Sequence, residues 1–318
     1  MLDDLKYIHD RDAQDALGIA QKQAAQLTMS FELVGNKSFS SIENVVYAGM
    51  GGSALAALLV HTWPALPVSF EVVRDYDLPA YVGEKTLVIV ASYSGNTEEA
   101  MSALSQAQAA HAQIAVIAGG GKLEAAARTE GYLLGMLPKV VQPRYAILSN
   151  YKLLLDLLHV TGVLREETTA ELQSAATFLD GAVQQWLPTV PATQNAAKQL
   201  AQECLGRSIV VYGGAKLFPA AYKWKIGFNE NAKQVAWAGQ YPEFNHNEFI
   251  GWSKQPVDKP YTVIDLRSKL EHPRTQKRFE VSERLLSGMR PSPEVVTVQG
   301  ETISQPLLWV LALADFVT

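Results

Sequence analysis

The stretch Thr86–Ala100, TLVIVASYSGNTEEA, carries the strongest structural signal in the chain. Its first half is a continuous run of aliphatic and β-branched residues, which is typical of a strand buried on both faces of a parallel sheet. Glycine, hydroxyl and amide residues follow at Ser92–Thr97, and Glu98 and Glu99 favour a first helical turn because the helix dipole attracts negative charge there. The stretch therefore predicts a strand, a turn and a helix in succession.

The turn within this stretch has the composition of an anion site. Backbone N–H groups at a helix start and the side chains of Ser92, Ser94 and Thr97 can converge on one point. A phosphate needs several donors at close range, whereas a structural turn needs only one capping side chain. We interpret the turn as phosphate-binding, and an ordinary serine-rich N-cap is the alternative that turn chemistry leaves open.

Strand and helix patterns alternate on both sides of this turn. The segment Asn44–Trp63, NVVYAGMGGSALAALLVHTW, predicts a strand, a glycine turn and a helix. Further strands are predicted at 68–73, 86–92, 113–118 and 132–137, and helices at 152–160 and 166–180. After these helices the strand and glycine pattern returns in SIVVYGG at 208–214, with later strands predicted at 234–238, 261–265 and 295–298. Such alternation indicates parallel sheets with helices on both faces.

The predicted fold class is α/β, with two flavodoxin-like domains, each a parallel sheet flanked by helices. We expect an N-terminal domain with the phosphate cradle at residues 1–165, a helical and proline-marked linker at 166–195, and a C-terminal domain at 196–318. The opening segment 3–34 is predicted to be helical, with a break near Gly35.

Composition narrows the class of protein. Of the 318 residues 48% are hydrophobic and 19% charged, and no apolar run approaches the length of a membrane span. A net charge of -5 gives no basic field for nucleic acid. A single cysteine, Cys204, excludes an intramolecular disulfide and a cysteine-based zinc site, and the polar start predicts no signal peptide. We expect a cytoplasmic protein with neither nucleic-acid nor membrane partners.

One motif favours a different cofactor chemistry. Gly49, Gly51 and Ala54 match the G-x-G-x-x-A dinucleotide fingerprint, and Glu71 follows at about the expected spacing. Taken alone, this pattern indicates a nicotinamide-dependent enzyme. However, Ser53 in the same turn is a direct phosphate donor, and the turn SYSGNT can open onto the same crevice of a flavodoxin-like sheet. Two turns around one phosphate favour a phosphosugar.

The order of the motifs also carries a family resemblance. GMGGSA at 49–54 followed by SYSGNTEEA at 92–100 resembles the sugar isomerase (SIS) domains. GFNENAK at 227–233 and EFNHNEFIGW at 243–252 are similar to the bifunctional phosphoglucose/phosphomannose isomerase family within that group. The resemblance implies an aldose–ketose isomerase of hexose phosphates, usually a homodimer, that works without metal or cofactor through a cis-enediol.

The resemblance further implies a set of site residues. Five turn residues match the family positions that hold the phosphate: Gly52, Ser53, Ser92, Ser94 and Thr97. Glu230 in FNEN matches the catalytic base, and Arg144 in QPRYAI resembles the arginine near the enediolate. His246 in NHNE matches the histidine that helps to open the sugar ring, and in the family this histidine reaches the site from the neighbouring subunit.

Isomerisation chemistry suits these residue types. A carboxylate with a raised pKa can move a proton between C1 and C2, histidine titrates in the range needed for ring opening, and a fixed positive charge stabilises an enediolate oxygen. Simpler roles remain open from the residues alone. Glu230 could lie on a solvated helix face, His246 could be a surface or metal-binding histidine, and Arg144 could cap a helix or pair with a carboxylate.

The chain departs from the family pattern in one respect. Family members continue past the segment resembling LLWVLALADFVT into a tail that carries a lysine thought to assist ring opening, and no lysine follows Lys277 here. That role is either empty or filled by another group such as Lys216, Lys223 or Lys225. We therefore predict phosphosugar binding and isomerase activity, with a non-catalytic sugar-phosphate-binding regulator as the alternative.

Overall fold

The computed structural model describes residues 1–140, 142–254 and 261–318. Within these ranges the strands are β1 (Leu33–Val34), β2 (Asn44–Gly49), β3 (Ser69–Val73), β4 (Thr86–Ser92), β5 (Gln113–Ala118), β6 (Leu133–Met136), β7 (Ser208–Gly213), β8 (Ala236–Gln240), β9 (Tyr261–Arg267) and β10 (Glu294–Thr297). The α-helices are α1 (Leu5–Arg11), α2 (Ala16–Lys22), α3 (Gly51–Val60), α4 (Glu98–Ala109), α5 (Gly121–Glu130), α6 (Ile147–Val160), α7 (Thr169–Val183), α8 (Ala196–Cys204), α9 (Phe218–Gly227), α10 (Glu248–Trp252), α11 (Pro273–Leu285) and α12 (Ser304–Val317).

The first sheet has the strand order β1-β6-β5-β4-β2-β3. The pairs among β2 to β6 are parallel, whereas β1 pairs antiparallel to β6 at the edge. All residues of β4 are buried, as its continuous aliphatic run predicts. Val88 and Val90 share one core with Leu104 of α4 and Leu123 of α5. The five parallel strands follow the flavodoxin order, so the predicted fold class is confirmed for this sheet.

The second sheet repeats this topology with four parallel strands, one fewer than the five parallel strands of the first sheet. Its order is β10-β9-β7-β8, and every neighbouring pair is parallel. The strands follow the same order as in the first sheet, with β7 and β9 at the positions of β2 and β4. The return of the strand and glycine pattern in SIVVYGG therefore corresponds to a repeated sheet topology.

The chain divides into two compact units. One comprises Gln23–Ala176 with the first sheet, and the other comprises Met1–Lys22 together with Thr177–Thr318 and the second sheet. The change of unit falls within α7, and α1 and α2 belong to the unit of the second sheet. The domain limits predicted from the sequence stay a prediction. Among the described residues, none of the helices is long and apolar enough to cross a membrane.

The opening segment differs from its prediction. The expected helix over 3–34 is divided into α1, α2 and a 3₁₀ segment at Gln23–Thr28, and it ends in the short strand β1. Asp12 caps the start of α2 by accepting hydrogen bonds from the Ala16 and Leu17 N–H groups at 2.7 and 2.9 Å. A two-residue strand has too few positions to show an alternating pattern, so no local pattern marks β1.

Candidate functional site

The strands β2 and β4 lie side by side at the point where the chain order of the first sheet reverses. Their register pairs Gly49 with Ala91, so the turns that follow the two strands begin at the same edge. In open α/β sheets, ligands bind in the crevice at this topological switch point. The two turns contain GMGGSA and SYSGNT, as the sequence predicted.

The turn after β4 is organised around the Ser92 hydroxyl. Its Oγ accepts a hydrogen bond from the Gly95 N–H at 3.1 Å, and it lies 2.7 Å from Thr97 Oγ1 and 3.4 Å from Ser94 Oγ. Thr97 is the N-cap residue of α4, but its side chain makes no capping hydrogen bond to the helix. The first N–H groups of α4 are therefore not capped by Thr97, which suits an anion bound at the helix start.

Ser53 connects the two turns. Its Oγ accepts a hydrogen bond from the Tyr93 N–H at 3.3 Å, and its carbonyl oxygen accepts bonds from Tyr47 Oη at 2.8 Å and Asn150 Nδ2 at 3.2 Å. Burial raises the pKa of Tyr47, so its hydroxyl stays protonated as a donor. These bonds hold the Ser53 hydroxyl next to the turn that carries Ser92.

Arg144 lies against the same edge of the sheet. It belongs to the 3₁₀ turn Pro143–Tyr145 that precedes α6. A Cβ built on Gly52 would be 3.8 Å from Arg144 Cα, so the backbone of Arg144 contacts the glycine turn. The structure thus places the Arg144 backbone beside Gly52, one of the five predicted phosphate residues. We call Gly52, Ser53, Ser92, Ser94 and Thr97 the phosphate cradle.

Several residues that support the cradle were not singled out from the sequence. They are Gln26, Tyr47, Tyr93 and Asn150, and each bonds to a residue of the two turns or to the Arg144 segment. The partners of Gln26, Tyr93 and Asn150 lie 45 to 119 residues away in the chain, so no local pattern marks these contacts, whereas Tyr47 bonds to Ser53 only six residues away. Tyr93 had the one available signal, because it stands inside SYSGNT between two predicted phosphate ligands.

Glu71, which a dinucleotide site would use for a ribose hydroxyl, has another partner. Its Oε2 accepts a hydrogen bond from the Tyr81 hydroxyl at 2.6 Å. The residues of the cradle, by contrast, supply hydroxyl groups from two turns. This arrangement favours a compact phosphate ligand over an extended dinucleotide.

Glu230 lies in the unit of the second sheet, in a π-helical turn at Phe228–Ala232 that continues α9. Such turns are rare and are frequent at functional sites. The side chain is exposed, and the carbonyl of Glu230 accepts a hydrogen bond from Lys233 Nζ at 2.5 Å. In the same turn, Asn231 Nδ2 donates to Thr318 Oγ1 at 3.1 Å, so the end of α12 lies beside the FNEN motif.

His246 is exposed at the end of the 3₁₀ turn Glu243–His246 in the same unit. The segment around it is anchored on both sides. Phe244 is buried with its ring 4.9 Å from that of Tyr212. The Tyr212 hydroxyl donates to the Glu248 carboxylate and accepts a bond from Trp252 Nε1 at 3.0 Å. Buried aromatic side chains thus anchor the segment that carries the exposed His246.

Glu230 and His246 flank opposite ends of β8. At the start of the strand, the Ala236 N–H donates at 3.0 Å to Oδ1 of Asn229, which is the residue before Glu230. Near its end, a Cβ built on Gly239 would be 3.4 Å from the carboxylate of Glu248, two residues after His246. Successive strand residues rise about 3.3 Å, so three residues separate the two ends by roughly 10 Å. The FNEN and NHNE motifs therefore adjoin opposite ends of β8.

Two of the lysines that the sequence suggested for a ring-opening role, Lys223 and Lys225, have described contacts. Lys223 is buried and forms an ion pair with Asp315 of α12. Lys225 Nζ lies 5.6 Å from the centre of the Tyr222 ring. Lys223 therefore joins two helices within its unit, which is a structural role.

We expect Asp315→Asn to lower the free energy of unfolding by about 3 kcal/mol, because the side chain of Lys223 is only 5% exposed and would keep a buried charge without its partner. Chemical denaturation measures this loss. Glu280→Gln, which breaks the exposed pair with Lys277, is the matched control and should cost less than about 1 kcal/mol. Equal losses in the two variants would contradict the assignment.

The switch point of the second sheet differs in its chemistry from that of the first. The buried carboxylate of Glu271 accepts a hydrogen bond from the Leu217 N–H at 2.9 Å, just before α9 begins. A Cβ on Gly214 would be 2.2 Å from this carboxyl group, so the glycine makes room for it. Burial raises the pKa of Glu271, and backbone N–H groups oppose this effect. At the start of α9 the carboxyl group of Glu271 thus occupies the position in which an anionic ligand would bind.

Comparison with known proteins agrees with this arrangement. Residues 193–318 match the family model described as bacterial phospho-glucose isomerase C-terminal SIS domain. A bifunctional phosphoglucose/phosphomannose isomerase of Caldicellulosiruptor bescii is 31% identical over 301 residues, covering 92% of this chain and 88% of that protein. A bifunctional phosphoglucose/phosphomannose isomerase of Aquifex aeolicus is 28% identical over 285 residues, covering 89% and 85%.

A solved structure shares the fold. The crystal structure of a hypothetical protein from Thermus thermophilus superposes with a TM-score of 0.67 at 16% identity, covering 98% of this chain and 84% of that one. The sequence relatives extend over most of both chains. The chain belongs to the bifunctional phosphoglucose/phosphomannose isomerase family of SIS-domain sugar-phosphate isomerases.

Proposed function

We propose that this protein interconverts fructose 6-phosphate with glucose 6-phosphate, and also with mannose 6-phosphate, without a metal ion. The observation that carries the proposal is the phosphate cradle at the switch point of the first sheet. Ser53, Ser92, Ser94 and Thr97 place four hydroxyl groups from two turns beside the start of α4. Hydroxyls and helix N–H groups are the donors that a phosphate dianion requires.

The proposed reaction passes through a cis-enediol. Glu230 removes the proton from C2 of the aldose phosphate and returns it to C1, while a proton moves between the oxygens on these carbons. Arg144 lies against the glycine turn of the cradle and carries the fixed positive charge that an enediolate oxygen needs. His246 acts as the acid and base group for ring opening. The reaction moves protons only, so we propose no redox cofactor.

We further propose a homodimer in which each active site takes its histidine from the other copy. Support comes from the order of the two motifs, since FNEN precedes β8 and NHNE follows it, so the motifs adjoin opposite ends of this strand. Exposed apolar residues accompany this strand. Val235 is 62% exposed and Trp237 49%, and Ile250 near His246 is 67% exposed. Such residues are suited to contact with a second copy.

The test is an assay with EDTA present throughout that follows fructose 6-phosphate conversion to glucose 6-phosphate and, separately, to mannose 6-phosphate. Product formation with both sugars supports the proposal. Loss of activity on EDTA treatment, restored by a divalent metal, would contradict metal independence. Tight fructose 6-phosphate binding without either product would instead support a sugar-phosphate-binding regulator. A dilution series followed by mass photometry tests the homodimer.

Ser94→Ala should weaken fructose 6-phosphate binding by about tenfold or more, because a hydrogen bond to a charged group contributes about 1.5–3 kcal/mol. Isothermal titration calorimetry measures the change. Ser105→Ala in α4 is a matched control, since its hydroxyl is exposed and donates to the Met101 carbonyl of the same helix. An unchanged affinity for fructose 6-phosphate in Ser94→Ala would contradict a role of Ser94 in binding the phosphate.

A further inference from the structure

Arg144 is reached through a segment without regular secondary structure. β6 ends at Met136 and α6 begins at Ile147, and the part of the chain described between them contains only the 3₁₀ turn Pro143–Tyr145. Such a segment does not fix a side chain through its own backbone ladder. The Arg144 side chain contacts its own segment, at Gln142 Oε1 (3.4 Å) and at the Tyr145 ring (4.9 Å), so the placement of the whole segment depends on contacts made by other elements.

Tyr93 holds the amino-terminal side of this segment. Its hydroxyl donates to the Pro138 carbonyl at 3.1 Å and accepts a hydrogen bond from the Val140 N–H at 2.6 Å. Its backbone is fixed as well, because its N–H donates to Ser53 Oγ at 3.3 Å and its carbonyl accepts from the Gly119 N–H at 3.0 Å. One residue thus joins the two cradle turns to the segment that leads to Arg144.

Gln26 holds the carboxyl-terminal side. Its Nε2 donates to the Tyr145 carbonyl at 2.7 Å, and its Oε1 accepts from the Ser149 N–H at 2.9 Å. The amide therefore binds the residue next to Arg144 and an N–H group in the first turn of α6. Because both amide groups are used, the start of α6 is fixed in both position and direction.

We propose that Tyr93 and Gln26 are positioning residues that hold Arg144 against the phosphate cradle. The inference rests on the proposed function, in which Arg144 acts on the enediolate. Neither side chain is required to touch the substrate. Catalysis depends on them because displacement of a catalytic group by about 1 Å can cost a hundredfold in rate. The phosphate cradle keeps its own donors when either side chain is removed.

The first test separates turnover from binding. Tyr93→Phe and Gln26→Ala should each lower kcat about tenfold or more, while the Kd for fructose 6-phosphate changes by less than about threefold. Tyr81→Phe and Gln108→Ala are the matched controls, since these residues bond to Glu71 and Tyr132 at exposed positions. The controls should retain the wild-type kcat. A wild-type kcat in Tyr93→Phe and Gln26→Ala would overturn the inference.

A second test asks whether Tyr93 acts through Arg144. In an Arg144→Met background, Tyr93→Phe should lower kcat by less than about twofold further, because the group that it positions is absent. A loss as large as in the wild-type background would overturn the inference and indicate a separate role for the phenol.

Amide exchange distinguishes failure of the inference from failure of the proposed function. The Val140 N–H should exchange faster in Tyr93→Phe, and the Ser149 N–H faster in Gln26→Ala, because each loses its acceptor. A wild-type protein without isomerase activity would refute the proposed function and leave this readout intact. Unchanged exchange at both amides would overturn the positioning role whatever the activity.

Discussion

Glu230→Gln is expected to reduce kcat about a thousandfold while changing the Kd for fructose 6-phosphate by less than about threefold. General acid–base catalysis by a positioned side chain contributes about 10²–10⁴-fold, and glutamine keeps the shape of glutamate but cannot accept the C2 proton. Glu230 is exposed in its π-helical turn, so we expect the substitution to leave the fold intact. Steady-state kinetics with calorimetric binding measures both quantities.

Glu203→Gln provides the matched control for this experiment. Glu203 is an exposed glutamate on α8 in the same unit as Glu230. It should retain the wild-type kcat, because its only expected contribution is surface charge. A Glu230→Gln variant with the wild-type rate would show that another group moves the proton. A variant that lost both turnover and fructose 6-phosphate binding would place Glu230 in substrate binding instead.

Gly95→Ala is expected to disrupt the turn after β4 and lower the free energy of unfolding by at least about 3 kcal/mol. Gly95 has φ of +66°, which costs an L-residue about 1 kcal/mol or more. An added Cβ would also lie 1.7 Å from the Gly120 carbonyl oxygen, a backbone atom that cannot rotate away. The turn must then move, and with it the Gly95 N–H that binds Ser92 Oγ.

Chemical denaturation and fructose 6-phosphate calorimetry test this expectation together. Gly83→Ala is the matched control, because Gly83 precedes β4 and an added Cβ there would meet nothing within 4 Å. Its midpoint should stay close to that of the wild type. Gly95→Ala should show an earlier midpoint or fail to accumulate as folded protein. A wild-type midpoint with wild-type sugar-phosphate affinity would contradict the geometry of the turn.

The central strands could be predicted because burial on both faces requires a distinctive composition. The bounds of β4 and β5 agree with the predicted 86–92 and 113–118, since an aliphatic run buried on both faces ends where the polar turn begins. α4 begins at Glu98, as Thr97 and the acidic pair after it indicated. β8 was predicted two residues too early, at 234–238. It lies at a sheet edge with partly exposed side chains and lacks such a run.

The sequence predicted the two turns of the candidate site but not the residues that support these turns. SYSGNT and GMGGSA are local motifs, and adjacent strands bring them together by a general rule of sheet topology. Tyr93 and Val140 are 47 residues apart, and Gln26 and Tyr145 are 119 apart. Contacts over such distances follow from the folded packing and leave no periodicity in one sequence. The roles assigned to Glu230, His246 and Arg144 stay predictions until the variants are measured.

The buried carboxylate of Glu271 bears on how many ligands the duplicated fold can take. Both sheets present a glycine turn at a switch point, and each could in principle accept an external anion. In the second sheet the Leu217 N–H already has Glu271 as its acceptor. Of the two described sheets, only the first therefore has a glycine turn open to an external anion. We expect each chain to bind one phosphosugar rather than two.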